Sequence, residues 1–419
     1  MLSALLVVLS GSSLSGAAFP VPKVEINSVN GKYQFLRDGK PYEIKGAGCS
    51  DTNDATLKRL VAAGGNSIRT WGAGNETEDL LDTAQKNGVT VQLGYWLGHV
   101  EHGFKWNDEK TLRDQRAGVR NMVRLYKDHP AVLTWALGNE MENGGNNNPA
   151  LWKEIEVLAK IVKAEDPHKR PVLTVVAEMD KNKADMIQSL CPSLDLVGIN
   201  SYAGLATLPT RLKEFGFTKP FLVTEFGPKG QWEVAKTPWG VAIEPTSTEK
   251  AENYRSGYVN QIKGSAGWCL GSYVFIWGSK QEETATWFGM MLPTGENTQA
   301  VDVMTEQWSG KPPKNRSPRI ESFTLSQTSA SPGSVLSAKA TASDPDGDPL
   351  AYEWHIKAES NDKRTGGAAE RAPATVTATK GGSQDVFNAP TEPGAYRVFL
   401  FIRDGKGNAA TANIPFLVK

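Results

Sequence analysis

From residue 42 to residue 308 the sequence alternates without a break between short apolar, β-branched runs and longer stretches with helical periodicity. The short runs are 42–46, 67–71, 90–94, 132–137, 172–176, 194–199, 221–224 and 271–276. Between them, 54–63, 78–87, 111–126, 151–165, 249–263 and 299–308 gather apolar residues on one helical face, with Asp54 and Thr111 as capping residue types. Strands that alternate with helices need a parallel sheet, and eight of them over about 250 residues predict a (β/α)8 barrel. A doubly wound open sheet would want a glycine-rich phosphate turn after its first strand. Gly46-Ala47-Gly48-Cys49-Ser50 matches that turn only in part, and no acidic ribose-binding residue follows at the right distance. The barrel fits better.

Two of the runs end alike. The run Ala131 to Leu137 stops at Gly138-Asn139-Glu140, and Phe221-Leu222-Val223-Thr224 stops at Glu225-Phe226-Gly227. A carboxylate at the end of a buried strand costs desolvation energy, so its placement asks for a use. In a (β/α)8 barrel the C-terminal strand ends build the active site. Here those ends supply Arg69 and Trp71, then Tyr95, Trp96 and His99, then Asn139 and Glu140. Glu178, Asn200, Tyr202, Glu225 and Trp277 follow from strands five to eight. Strands four and seven face each other across the mouth, so Glu140 and Glu225 can flank one sugar. Glycosidic cleavage needs one acid for the leaving oxygen and a second carboxylate at the anomeric carbon, and a gap of about 5 Å means retention. A neighbouring carboxylate raises the acid's pKa, while Arg69 and a Tyr202 hydroxyl would keep the nucleophile ionised.

Plainer roles stand beside these. A single glutamate ending a strand serves as a helix cap or ion-pair partner. Glu178 rivals Glu140 as the acid, and Arg69 fits a core ion pair. His99 and His102 lack the spacing of a zinc helix and read as a solvated loop.

The motifs Gly138-Asn139-Glu140, Thr224-Glu225-Phe226-Gly227, Gly198-Ile199-Asn200-x-Tyr202 and Trp277 together resemble the clan A retaining glycoside hydrolases. Within that clan the wording is similar to family 2 barrels and to β-1,3-glucanosyltransferases. The resemblance implies Glu140 as acid/base and Glu225 as nucleophile. It further implies Asn139 on the substrate 2-hydroxyl, Tyr202 on the nucleophile and Trp277 as the floor under the attacked sugar. No metal or organic cofactor is implied. The loop tryptophans Trp96, Trp232, Trp239 and Trp287 are candidate platforms for pyranose rings or, alternatively, lid packing. Several platforms suit an oligo- or polysaccharide. The expected activity is retaining hydrolysis of a β-linked glucan or related polysaccharide. Transglycosylation on the same barrel and a non-catalytic carbohydrate-binding surface protein are the alternatives.

The 419 residues exceed one ordinary core. Residues 1–18 read as a secretory signal, with Leu5-Leu6-Val7-Val8-Leu9 before Gly16-Ala17-Ala18, which implies a secreted or periplasmic protein. The barrel with an N-terminal hairpin occupies 19–310, and a proline-rich linker 311–318. From 319 to 419 helical periodicity gives way to strand alternation, which predicts a β-sandwich. Ser343-Asp344-Pro345-Asp346-Gly347-Asp348, Tyr352-x-Trp354 and Arg403-Asp404-Gly405 resemble PKD-type or cadherin-like modules. Those aspartates suit either Ca²⁺ or turn formation. The module is expected to be a spacer or a cell-wall or glycan attachment, removable without loss of activity on soluble substrate. Basic and acidic residues balance at 46 each, which argues against nucleic acid, and no run is long enough for membrane insertion. Cys49, Cys191 and Cys269 are an odd set in apolar surroundings and read as buried thiols.

Overall fold

The computed structural model describes residues 20–144, 148–364, 368 and 370–419; the expected signal at 1–18 lies outside the described residues. The first element is an antiparallel sheet of β1 (Val24–Val29), β2 (Lys32–Arg37) and β3 (Lys40–Pro41). It turns at Asn30-Gly31 and Asp38-Gly39, all four with positive φ, as tight hairpins require.

Eight parallel strands then close into a barrel. They are β4 (Ile44–Cys49), β5 (Ser67–Arg69), β6 (Thr90–Tyr95), β7 (Val132–Leu137), β8 (Val172–Ala177), β9 (Leu196–Asn200), β10 (Phe221–Phe226) and β11 (Cys269–Trp277). Neighbours follow chain order, and β11 pairs with β4 to complete the ring. Every residue of β7 and β10 is buried, Glu225 included. The hairpin sheet plugs the N-terminal end: Val24 and Phe35 pack with Leu133, Leu173, Leu196 and Leu222, and Tyr33 bonds Gly267 and Thr218 just ahead of the last strands. With that end covered, the C-terminal end of the barrel is where a site is to be sought among the described residues.

The outer helices are α1 (Asp54–Ala62), α2 (Thr77–Lys86), α3 (Glu109–Tyr126), α4 (Pro149–Glu165), α5 (Lys181–Leu190), α6 (Leu208–Glu214), α7 (Ser247–Ser256) and α8 (Gln299–Ser309). Two differences from expectation have local causes. The caps of α1 and α3 are Asn53 and Asp108, whose side chains take the free amides of the first turn, so Asp54 and Thr111 lie inside the helices. The helix expected through 263 stops being α-helical at Ser256 and widens into a π-helical turn, Gly257–Ile262.

The C-terminal part is a sandwich of β12 (Arg319–Leu325), β13 (Ser329–Ala330), β14 (Val335–Ser343), β15 (Ala351–Ala358), β16 (Thr375–Gly381), β17 (Gln384–Asn388), β18 (Gly394–Arg403) and β19 (Ala409–Val418). One sheet runs β12-β14-β17 and the other β13-β19-β18-β15-β16, around Leu336, Trp354, Val398, Leu400 and Phe416. The linker does not hang free: Ser317 is fully buried and its N–H donates to Asp302 of α8 at 2.6 Å.

Asp344, Asp348 and Asp404 bring carboxylate oxygens within 4.8 Å of one another. Asp344 Oδ1 accepts the N–H groups of Asp346 and Asp348 and the Lys406 ammonium pairs with Asp348, while Asp344 Oδ2 and Asp348 Oδ2 are buried without a hydrogen-bond partner. All three cysteines are buried and unpaired. No helix among the described residues is long and apolar enough to cross a membrane.

Candidate active site

Glu225 is carried by β10 into the barrel mouth, 6 % exposed. Arg69 Nη1 and Trp71 Nε1 donate to its Oε1 at 3.0 and 2.9 Å, and the Tyr202 hydroxyl donates to Oε2 at 2.7 Å. With both oxygens accepting, one from a guanidinium, this is the environment of a carboxylate poised to act as a nucleophile. Burial and the Glu225 charge hold the Tyr202 phenol well above its usual range, so it stays the donor.

Glu140 follows β7 through a sharp turn. Gly138 and Glu140 both have positive φ, at 75° and 55°. A Cβ at Gly138 would lie 2.0 Å from Met141 Sδ, so only glycine fits there. A glutamate in the left-handed region is strained and needs holding. Its N–H donates to Val175 O at 2.9 Å, and its carboxylate accepts from Asn200 Nδ2 at 2.7 Å and Asn143 Nδ2 at 3.1 Å. Burial first, then the charge of Glu225 and that of Glu142, push the Glu140 carboxyl up to about 7. A carboxylic acid that keeps its proton near neutrality is what a leaving-group oxygen needs.

The two carboxylates share one network. Arg69, 2 % exposed, also donates to Asn200 Oδ1, Thr224 O and Asn139 Oδ1 at 3.2, 2.9 and 2.8 Å. Asn139 Oδ1 takes a second bond from Asn200 Nδ2 at 3.2 Å, which leaves its own Nδ2 amide for a ligand. Asn200 thus joins Arg69, Asn139 and Glu140, a linking role that the sequence reading did not assign to it.

Trp96 and Trp232 are 40 % and 57 % exposed, Trp96 stacked on His99 and Trp232 edge-on to Tyr202. Trp239 is half-buried. Trp287 is fully buried, its indole N–H on Lys229 O at 2.9 Å and its ring beside Phe288, so as placed it offers no open face to a sugar. Trp277 is likewise fully buried and packs 6.0 Å from Trp308 of α8. The reason is a register shift in β11: Val274 pairs with Ala47 and Trp277 with Cys49, three residues against two. Tyr273 and Phe275 face inward by ordinary alternation, Phe275 meeting Trp71 and Tyr202, and the bulge after them reverses the alternation and turns Trp277 outward. Trp71, Phe275 and Phe288 form the aromatic wall behind Glu225, and a Trp at the second strand end was the only sequence signal for it.

Glu178, the rival acid, also has positive φ, but its carboxylate pairs with Arg211 at 2.6 Å and accepts from the Ser201 hydroxyl. It is committed to holding the turn after β8. His99 is buried rather than in solvent, with burial pushing its pKa down, and it supports the Trp96 ring.

Residues 80–266, which include both Glu140 and Glu225, match the family model described as glycosyl hydrolases family 2, TIM barrel domain. A β-glucuronidase of Streptococcus agalactiae is 30 % identical over 205 residues, covering 43 % of this chain and 33 % of that protein. A β-mannosidase of Capra hircus is 26 % identical over 128 residues, 28 % of this chain and 14 % of that one. The chain thus spans a third or less of the length of these curated relatives. Among solved structures, the β-D-glucuronidase of Dictyoglomus thermophilum superposes with a TM-score of 0.55 at 20 % identity, over 69 % of this chain and 54 % of that one. At that identity the likeness establishes the barrel fold.

Proposed function

We propose that this chain is a retaining glycoside hydrolase acting on a β-linked glucan or related polysaccharide, with Glu225 as nucleophile and Glu140 as acid/base. The observation that carries the reading is the unequal treatment of the two carboxylates. Glu225 accepts three donated bonds, one from Arg69, while Glu140 is pushed up to about 7. Glu225 attacks the anomeric carbon as Glu140 gives its proton to the departing glycosidic oxygen, leaving a glycosyl ester. Glu140, now a base, takes a proton from water, whose oxygen replaces Glu225 at the anomeric carbon. A sugar hydroxyl in place of that water would give transglycosylation. Arg69, Trp71 and Tyr202 hold Glu225 in line, and the Asn139 amide is free for a substrate hydroxyl.

The exposed Trp96 and Trp232 support an extended glycan over a simple glycoside. The two cations stacked on the aromatic wall, over Trp71 and Phe275, are already engaged, which supports a neutral sugar over a uronide. Arg69 is spent on Glu225 and Asn139, and Lys280 is paired with Glu282 at 2.5 Å. The expected leader supports export, and the sandwich, on its PKD-like or cadherin-like turns alone, is read as a means of attachment to a cell wall or glycan. A product-size assay over β-glucans, mannans, galactosides and glucuronides, with Glu140→Gln and Glu225→Gln beside the wild type, tests the reading. Turnover of a neutral polymer, lost in both variants, is expected. Turnover of glucuronides alone would overturn the substrate class.

A further inference from the structure

Lys363 and Glu370, which lie between β15 and β16 of the sandwich, touch the loop that follows β11. Lys363 Nζ lies 2.8 Å from Glu283 Oε1, and Glu370 Oε2 accepts the Glu283 N–H at 2.8 Å. Glu283 follows β11, is 6 % exposed, and has a φ of 58°. A non-glycine residue in that region persists only where its surroundings hold it, and here two holding contacts come from the other domain. The residue before it, Glu282, pairs with Lys280, whose ammonium sits 5.0 Å from the centroid of Phe275. Phe275 packs edge-on against Trp71 and Tyr202, both hydrogen-bonded to Glu225.

A second grip lies beside the first. The buried Glu244, in the β10–α7 loop that carries Trp232, accepts from Thr284 and Thr286 at 2.6 and 2.8 Å. It pairs with Lys250 and accepts from Asn413 of β19 at 2.6 Å. Arg397 of β18, 1 % exposed, donates to Ala242 O and Asn413 Oδ1, both at 2.7 Å. Both mouth loops are therefore bonded to the sandwich, each through a buried glutamate, which is not how a detachable spacer is attached.

We propose that the sandwich is a working part of the active site. Through Lys363 and Glu370 it fixes Glu283, and Glu283 fixes the Lys280–Glu282 pair against the aromatic wall that sets the position of Glu225. These are positioning residues, and their catalytic consequence rests on the reading of Glu225 as nucleophile.

The test compares wild type with Lys363→Met and Glu370→Ala, substitutions on the sandwich that remove the two contacts to Glu283, in two measurements. Amide hydrogen exchange over 279–286 reports the brace whatever the activity. Protection there is expected to fall in both variants while that of β4 to β10 is kept. Steady-state kinetics on an aryl β-glucoside report the consequence: kcat on the order of tenfold lower with KM nearly unchanged, as slight misplacement of a nucleophile gives. Unchanged exchange overturns the brace. Lost protection with wild-type kcat overturns the catalytic role. A wild type that turns over no glycoside overturns the hydrolase reading, and with it the kinetic consequence, while the exchange result still decides the brace.

Discussion

Nη1 of Arg69 lies 3.0 Å from Oε1 of Glu225, with the two side chains 1 % and 8 % exposed. A buried charge pair is weak as a source of stability but costly to break on one side, because the survivor is left without water or partner. Arg69→Met is therefore expected to lose about 3 to 5 kcal/mol in chemical denaturation, together with most activity. A loss under about 1 kcal/mol would mean that the pair is hydrated and the nucleophile not held as described.

The Glu140 carboxyl, raised from 4.5 to about 7, sets two pH dependences. Activity that needs its proton, read as kcat/KM, should fall as pH rises through about 7. For stability, a carboxyl raised on folding favours the folded state fully only below its unfolded value, and that contribution is lost as pH climbs through the folded one. Wild type should thus weaken relative to Glu140→Gln between pH 4.5 and about 7. Removing the Glu225 charge, in Glu225→Gln, should lower the Glu140 pKa, which NMR titration of the carboxyl carbon reads directly.

Trp232 and Trp287 come from neighbouring loops and have opposite surroundings, at 57 % and 0 % exposure. Trp232→Ala should leave stability alone and raise KM for a glucan oligosaccharide several-fold to about tenfold. Trp287→Ala should cost about 3 to 5 kcal/mol of stability through the cavity it opens. Thermal melts and oligosaccharide kinetics on both variants separate platform from packing.

Much of this was legible in the sequence, for identifiable reasons. The strands bearing Glu140 and Glu225 are buried on both faces, so composition alone marked them, and the glutamate at each tip stood out against it. The helices Lys181–Leu190 and Leu208–Glu214 were not foreseen: each buries only two residues, too few to print a periodicity. The outward turn of Trp277 was hidden because a one-residue bulge leaves no trace in composition yet reverses which side chains face inward. The grip of the sandwich on Glu283 and Glu244 was hidden too, since charged residues in loops ordinarily face water.

Glu178 gives a negative control. Committed to Arg211 and Ser201, it should tolerate Glu178→Gln with less than about a tenfold loss of kcat, whereas Glu140→Gln loses more than about a hundredfold on substrates with poor leaving groups. Side-by-side kinetics on one polysaccharide decide between the two acids.

The most direct measurement is trapping. A 2-deoxy-2-fluoro-β-glucosyl donor with a good leaving group is incubated with the protein, which is then digested and mapped by mass. The account predicts one sugar adduct, on Glu225, abolished in Glu225→Gln. An adduct on another residue, or hydrolysis with inversion and no adduct, would contradict it.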